Sequence, residues 1–153
     1  MRGNKVLVGL VYNSKVPEAL VLGKSLLAVL EAQNHSWISS AEELDFVGNK
    51  INDTRVIVTV GGDGTILRTV RWAAPAGVPI VSVNMGRVGF MTELGPEDAK
   101  SHIREYVFGS SQVEERMMLT ATRVSGSDGS SENVHALNDV VVSRGEMARL
   151  LQV

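Results

Sequence analysis

The residues Gly61-Gly62-Asp63-Gly64-Thr65 have the types and spacing that chemistry requires. They follow the run 55–60, β-branched from Val56 on, and precede a stretch of helical spacing at 66–74, so they read as a turn from a buried strand into a helix. Unpaired backbone N–H groups at a helix start, together with the helix dipole, attract anions. Three glycines let the chain reach positive φ and approach a phosphate with no side chain in the way. Asp63 adds a carboxylate there, which repels a phosphate unless a metal ion or a hydroxyl donor lies between them. That combination points to phosphoryl transfer. A plain turn with Asp63 or Thr65 as N-cap explains a single glycine turn as well, but not a run this dense in glycine.

A second glycine-bearing turn, Asn84-Met85-Gly86-Arg87-Val88-Gly89-Phe90, follows the short apolar run 79–83. Asn84 and Gly86 taken alone could simply end a strand. Asn138-Asp139 puts two β-disfavoured polar residues inside the apolar run 134–142, where they ask for a bulge, an edge or a ligand. Arg68, Arg71 and Arg87, each taken singly, read as solvated charges. His35, His102 and His135 share no metal-ligand spacing and read as structural, and the methionines read as core filling.

The elements that must hold these turns follow from periodicity. The run 6–12 reads as a strand buried on both faces, and 17–33 as a helix with Pro17 in its first turn. Short strands are expected at 35–39, 55–60 and 79–83, and helices at 66–74 and 96–108. Strand and helix in alternation imply right-handed crossovers and a parallel sheet covered by helices. The expectation for residues 1–110 is an α/β domain with a Rossmann-like parallel sheet and flanking helices. After residues 109–111 the texture changes to strands at 117–124 and 134–142, separated by a polar stretch with Asp128-Gly129 at its centre, a hairpin signal. Residues 111–153 are expected to be the first strands of an incomplete β-rich domain, since the chain stops at the apolar tail Leu150-Leu151-Gln152-Val153 with no closing turn.

Composition bounds the alternatives. With 153 residues, 44% hydrophobic and 21% charged, the chain is globular, one domain with a small appendage. A net charge of -2 argues against a nucleic-acid binder with a strongly basic face and against a polybasic membrane anchor. Without cysteine there is no disulfide, thiolate metal site or thiol nucleophile. The N-terminal apolar run 6–11 is far short of the roughly 20 residues that span a bilayer, no signal peptide is read, and a cytoplasmic location is expected. The glycine count of 15 and aromatic content of 5% favour α/β over an aromatic-rich sandwich.

Gly61-Gly62-Asp63-Gly64-Thr65 resembles the signature of NAD kinases and related lipid kinases, with a similar turn in phosphofructokinases. It is not a Walker loop, because no Gly-Lys-Ser/Thr occurs. Asn84 to Phe90 is similar to the Asn-x-Gly-x-x-Gly-Phe turn of NAD kinases, and Ala136-Leu137-Asn138-Asp139-Val140-Val141 to their Asn-Glu/Asp motif. Glu115-Arg116-Met117-Met118-Leu119 is similar to their strand entry. The departures are Val88 for leucine and Asp139 for glutamate.

The resemblance implies phosphoryl transfer from ATP, or polyphosphate in some members, to the 2′-hydroxyl of the adenosine ribose of NAD, with Mg²⁺ or Mn²⁺. Asp63 becomes the catalytic base. Gly61, Gly62, Gly64, Thr65, Asn84 and Gly86 become nucleotide-binding, with Gly64 and Arg68 along the phosphates. Phe90 lies against the adenine, Asn138 and Asp139 near the ribose, and Arg149 at the family's basic contact. No motif identifies metal ligands. An aspartate pKa of about 4 lies about ten units below that of a ribose hydroxyl, so Asp63 would orient the hydroxyl and accept its proton late. NAD and ATP are the implied small-molecule partners, and a homo-oligomer is expected.

NAD kinases continue past the Asn-Glu/Asp motif into a β-rich domain, whereas 14 residues follow Asp139. The chain alone is therefore expected to be inactive. The alternatives are a non-catalytic fragment that keeps weak nucleotide affinity, and a lipid or sugar kinase of the wider group, which Asn84 to Phe90 and Asn138-Asp139 disfavour.

Overall fold

The structure is a computed structural model that describes residues 6–32, 35–86, 89–125 and 129–142. It divides into two units, Met1–Val113 and Glu114–Val153. In the first, the apolar runs form four strands, β1 (Leu7–Tyr12), β2 (Ser36–Ser40), β3 (Thr54–Gly61) and β4 (Ile80–Asn84). They lie in the order β2-β1-β3-β4, and every pairing is parallel. Val8, Leu10, Val11, Ile57, Val58, Val60 and Val83 are fully buried, the near-continuous burial expected of a parallel sheet covered on both faces.

Side chains alternate across the sheet, so the central strands β1 and β3 each feed two cores. Val8, Leu10, Val56, Val58, Val60 and Val83 pack with helices α1 (Pro17–Val29) and α3 (Pro96–Phe108). Val11, Trp37 and Ile57 pack with Ala73 of helix α2 (Asp63–Ala76) and with Leu44, Val47 and Ile51 of a 3₁₀ segment, Leu44–Asp53. Trp37 lies over Gly9, where a Cβ would overlap the indole, and its Nε1 donates to Thr54 Oγ1 at 2.8 Å. Among the described residues no helix is long and apolar enough to cross a membrane.

Several boundaries differ from the sequence reading, each for a local reason. Helix α1 ends at Val29 and not near Gln33, because Glu31 takes φ 55°. Ala32 and Glu31 then donate to the carbonyls of Leu27 and Ala28, a Schellman closure with glutamate in the position glycine usually fills. Helix α2 begins at Asp63, three residues earlier than expected, since the Gly62 carbonyl accepts from Thr65 N–H at 2.9 Å and draws the glycine run into the first turn. The 3₁₀ segment was not foreseen at all, and Gly48, at φ 55° and ψ -140°, interrupts its helical pattern.

The second unit holds an antiparallel pair, β5 (Leu119–Val124) and β6 (Ser131–Ala136). Gly129 turns the chain at φ 69°. Strand β6 starts earlier than the apolar run 134–142 suggests and stops at Ala136, so Asn138 and Asp139 follow the strand and do not interrupt it. Expected β-structure at 137–142 is absent because residues 140–142, though apolar, find no strand partner among the described residues.

Candidate active site

Topology selects one edge of the sheet. From β1 the chain crosses outward to β2, and from β3 it crosses the other way to β4. Right-handed crossovers in opposite directions place their helices on opposite faces, as the separate cores of α1 and α2 show. The carboxyl ends of β1 and β3 therefore diverge into a crevice, the position where open α/β sheets take ligands. Asn13 and Ser14 follow β1 there, Gly61 to Thr65 follow β3, and Asn84 to Phe90 follow β4. A Cβ on Gly61 would stand 3.1 Å from Asn13 Cβ, so the first two turns touch.

The glycines of the first turn differ in what surrounds them. A Cβ at Gly61 would overlap the Thr65 hydroxyl and lie 3.0 Å from Thr65 Cβ, so the buried Thr65 packs directly on this glycine. At Gly62 and Gly64 a Cβ would meet nothing within 4 Å. Those two positions are open because no protein atom fills the space a side chain would take. The expected positive φ is not used: among the described residues the positive-φ glycines are Gly48, Gly77 and Gly129, and Gly62 is extended at φ -114°, ψ -170°. What absent side chains supply here is access, not an unusual backbone conformation.

Asp63 sits half-buried in the first turn of α2 and reaches across to the turn after β4. Its Oδ2 accepts from Phe90 N–H at 3.0 Å and its Oδ1 from Met91 N–H at 3.2 Å. The carboxylate rests against Gly89, where a Cβ would overlap Oδ1 and stand 2.6 Å from Cγ and 2.8 Å from Oδ2. Gly89 N–H donates to Thr92 Oγ1 at 3.1 Å. Ser82 Oγ donates to the Met91 carbonyl at 2.9 Å and accepts from Glu93 N–H at 3.1 Å, and Met85 N–H donates to the Gly61 carbonyl at 3.1 Å. Thr92, Ser82 and Gly89 thus build the turn that Asp63 grips. Sequence reading missed the first two, which carry no motif signal, and took Gly89 only as part of the turn.

Asn84 is buried, and its side chain closes its own turn. Nδ2 donates to the Gly86 carbonyl at 3.2 Å while Oδ1 accepts from Gly86 N–H at 3.2 Å. Gly86 itself is exposed to open space. The Phe90 ring is 100% exposed, and the residue's link to the site is its backbone. Arg87, Val88 and Arg149 lie outside the described residues.

Arg68, on α2, is ion-paired to Glu42, which follows β2. Ser14 Oγ also donates to Glu42 Oε2 at 3.0 Å. Desolvation tends to raise the Glu42 pKa, but the Ser14 hydroxyl, the residue's own backbone amide and Arg68 outweigh it, and the carboxyl is held below its ordinary value. Glu42 went unnoticed in the sequence because it meets Ser14 and Arg68 only through the sheet order, across 28 and 26 residues. Asn138 and Asp139 are exposed residues of the second unit, following β6. Asp63, Gly61 to Thr65, Asn84 and Phe90 are brought together in the first unit.

Among the described residues no group of three or more His, Asp or Glu could hold a metal ion. Each Asp63 oxygen takes one backbone N–H, and an ionised carboxylate offers about four acceptor sites, so roughly half remain for a hydroxyl, a water or a cation.

A family model, ATP-NAD kinase N-terminal domain, matches residues 25–110. The chain is 40% identical to the NAD kinase of Dehalococcoides mccartyi strain CBDB1 over 147 residues, covering 95% of this chain and 52% of that protein. It is 36% identical to the NAD kinase of Heliobacterium modesticaldum, covering 95% and 54%. The crystal structure of yeast NADH kinase complexed with NADH superposes with a TM-score of 0.67 at 19% identity, over 89% of this chain and 48% of that one. The chain spans about half the length of the curated relatives it matches.

Proposed function

This chain belongs to the ATP-NAD kinase family, and on that premise we propose that its glycine turns serve phosphoryl transfer from ATP to the 2′-hydroxyl of the adenosine ribose of NAD, giving NADP. The observation that carries the reading is the pairing of an anchored carboxylate, Asp63, with the unobstructed backbone at Gly62 and Gly64 in the crevice of a parallel sheet. An anion reaching this backbone stands beside a carboxylate, an arrangement that suits a substrate presenting both phosphates and a hydroxyl. The NADH bound in the yeast structure presents both.

Asp63 orients the ribose hydroxyl and accepts its proton as the bond to phosphorus forms, the late transfer suited to a loose transition state. Gly62, Gly64 and the start of α2 face the phosphates. Arg68, released from or shared with Glu42, adds positive charge. The exposed Phe90 ring offers a stacking surface for adenine, and Asn138, Asp139 and Arg149 recognise the dinucleotide. A divalent cation fits this donor set only as an ion carried with the donor phosphates, because Mg²⁺ typically uses one or two carboxylates plus substrate oxygens and Asp63 is the residue that would hold it. Such an ion supplies charge neutralisation of the transferred group. Use of polyphosphate, a cytoplasmic location and a homo-oligomeric state belong to the same proposal.

A second reading, that these 153 residues bind nucleotide without turning it over, is favoured by the exposure of Leu119, Val124 and Val134 in the hairpin unit. Both readings meet in one experiment. NADP formation from NAD and ATP is measured for this chain and for a protein of the relatives' length carrying it, with and without Asp63→Asn. We expect turnover in the longer protein, at least ~10²-fold lower in the variant, and none in the chain alone. Near-normal turnover by the variant refutes the role of Asp63.

A further inference from the structure

We infer that Gly89 and the backbone amides of Phe90 and Met91 form a clasp that positions the Asp63 carboxylate for its hydroxyl partner, which makes Gly89 a positioning residue. The inference rests on the reading that Asp63 faces a substrate hydroxyl. It begins from a geometric coincidence: the carboxylate receives one N–H on each oxygen, from consecutive residues, beside a glycine at which a Cβ would overlap the carboxylate itself. Any side chain at position 89 displaces the carboxylate from both donors.

Two hydrogen bonds to two oxygens fix the plane and direction of a carboxylate, where a single bond leaves it free to rotate about χ2. The donors are themselves held. Gly89 N–H is tied to Thr92, the Met91 carbonyl to Ser82, and Leu94 N–H to the Ser82 carbonyl at 3.1 Å. Residues 89–94 are therefore a fixed template against which a side chain from α2 is aligned. Because each oxygen uses one acceptor site on the clasp, a hydroxyl is taken up by the remaining sites without breaking it, and the carboxylate enters the reaction already oriented.

Amide hydrogen exchange on the 153-residue chain at fixed neutral pH tests this without nucleotide. In the unmodified chain, Phe90 and Met91 amides should be protected. Asp63→Asn and Gly89→Ala should each speed their exchange by about ten- to hundredfold, the range for hydrogen bonds to a charged acceptor. The amides of Asn84 and Leu94, bonded to Leu94 and Ser82 carbonyls, should not change. The double variant should exchange no faster than either single one, and the Asp63 side-chain carbonyl ¹³C resonance should move in Gly89→Ala. Unprotected amides in the unmodified chain, or additive effects, overturn the clasp. If Gly89→Ala fails to fold, Asp63→Asn with its local loss of protection decides the matter alone. NAD is then added as the probe to a protein of the relatives' length that carries this chain. Retained protection at both amides on binding supports positioning, and loss of protection overturns it. If NAD perturbs no resonance, the proposed substrate fails, while the nucleotide-free arms still decide the clasp.

Discussion

Gly64→Ala separates what the glycine run does for the fold from what it does for a ligand. Gly64 is the second residue of α2 and exposed, and its added Cβ would meet nothing within 4 Å. Glycine inside a helix costs roughly 0.5–1 kcal/mol relative to alanine through chain entropy, and in a first turn the lower end applies, about 0.5 kcal/mol. With a urea slope near 2 kcal/mol/M, this raises the unfolding midpoint by about 0.25 M. The methyl group would occupy the space above the helix start, displacing a phosphate from the amides. Loss of one charge-assisted hydrogen bond weakens binding by about ten- to hundredfold. Gly61→Ala is the control with the opposite sign. Its Cβ meets Thr65 and Asn13, and overpacking of this kind destabilises by about 1–3 kcal/mol. Urea unfolding of this chain and calorimetry with NAD and ATP on the family-length protein give both quantities. The reasoning is refuted if Gly64→Ala is destabilising, or if it is stable and binds both nucleotides unchanged.

Glu42→Gln tests the Arg68 tether. The Glu42 pKa is lowered on folding, so its contribution is present above the ordinary carboxylate range and is lost as pH falls through the folded value. The substitution should cost under about 1 kcal/mol at pH 7, as exposed pairs do, and nothing at strongly acidic pH; an equal cost at both would exclude the ion pair. Alanine at Asn138 and Asp139 together should leave the urea unfolding of the first unit unchanged and weaken NAD binding in the family-length protein by about 1.5–3 kcal/mol, while ATP binding holds; unchanged NAD affinity would refute their role. Leu119, Val124 and Val134 are exposed on a hairpin that is marginal alone, and Val141 and Val142 are exposed beyond it, so light scattering should show the 153-residue chain associating as concentration rises. A monomer at every concentration would contradict that expectation.

The parallel sheet was legible because burial on both faces writes itself as unbroken β-branched runs, as in 56–60, and because Pro96 and Gly109 bracket helix α3. The motif Gly61 to Thr65 was legible because a glycine-dense turn after such a strand has few structural explanations. The placement of Asn138-Asp139 inside a strand was misread, since apolar residues on both sides mimic a strand whether or not a partner pairs with them.

What the sequence determined by itself is local: which runs are buried, which turns lack side chains, and which carboxylate stands at a helix start. What the tertiary structure decided is which distant residues share an edge. Asp63 and Met91 are 28 residues apart, as are Ser14 and Glu42, and both contacts exist only because the order β2-β1-β3-β4 brings successive carboxyl-end turns side by side. Spacing along a chain records the period of its own helix or strand and carries no register between turns that crossovers separate. Gly61 and Gly64 are therefore alike in the sequence, and only the packed structure shows that one makes room for Thr65 while the other faces open space.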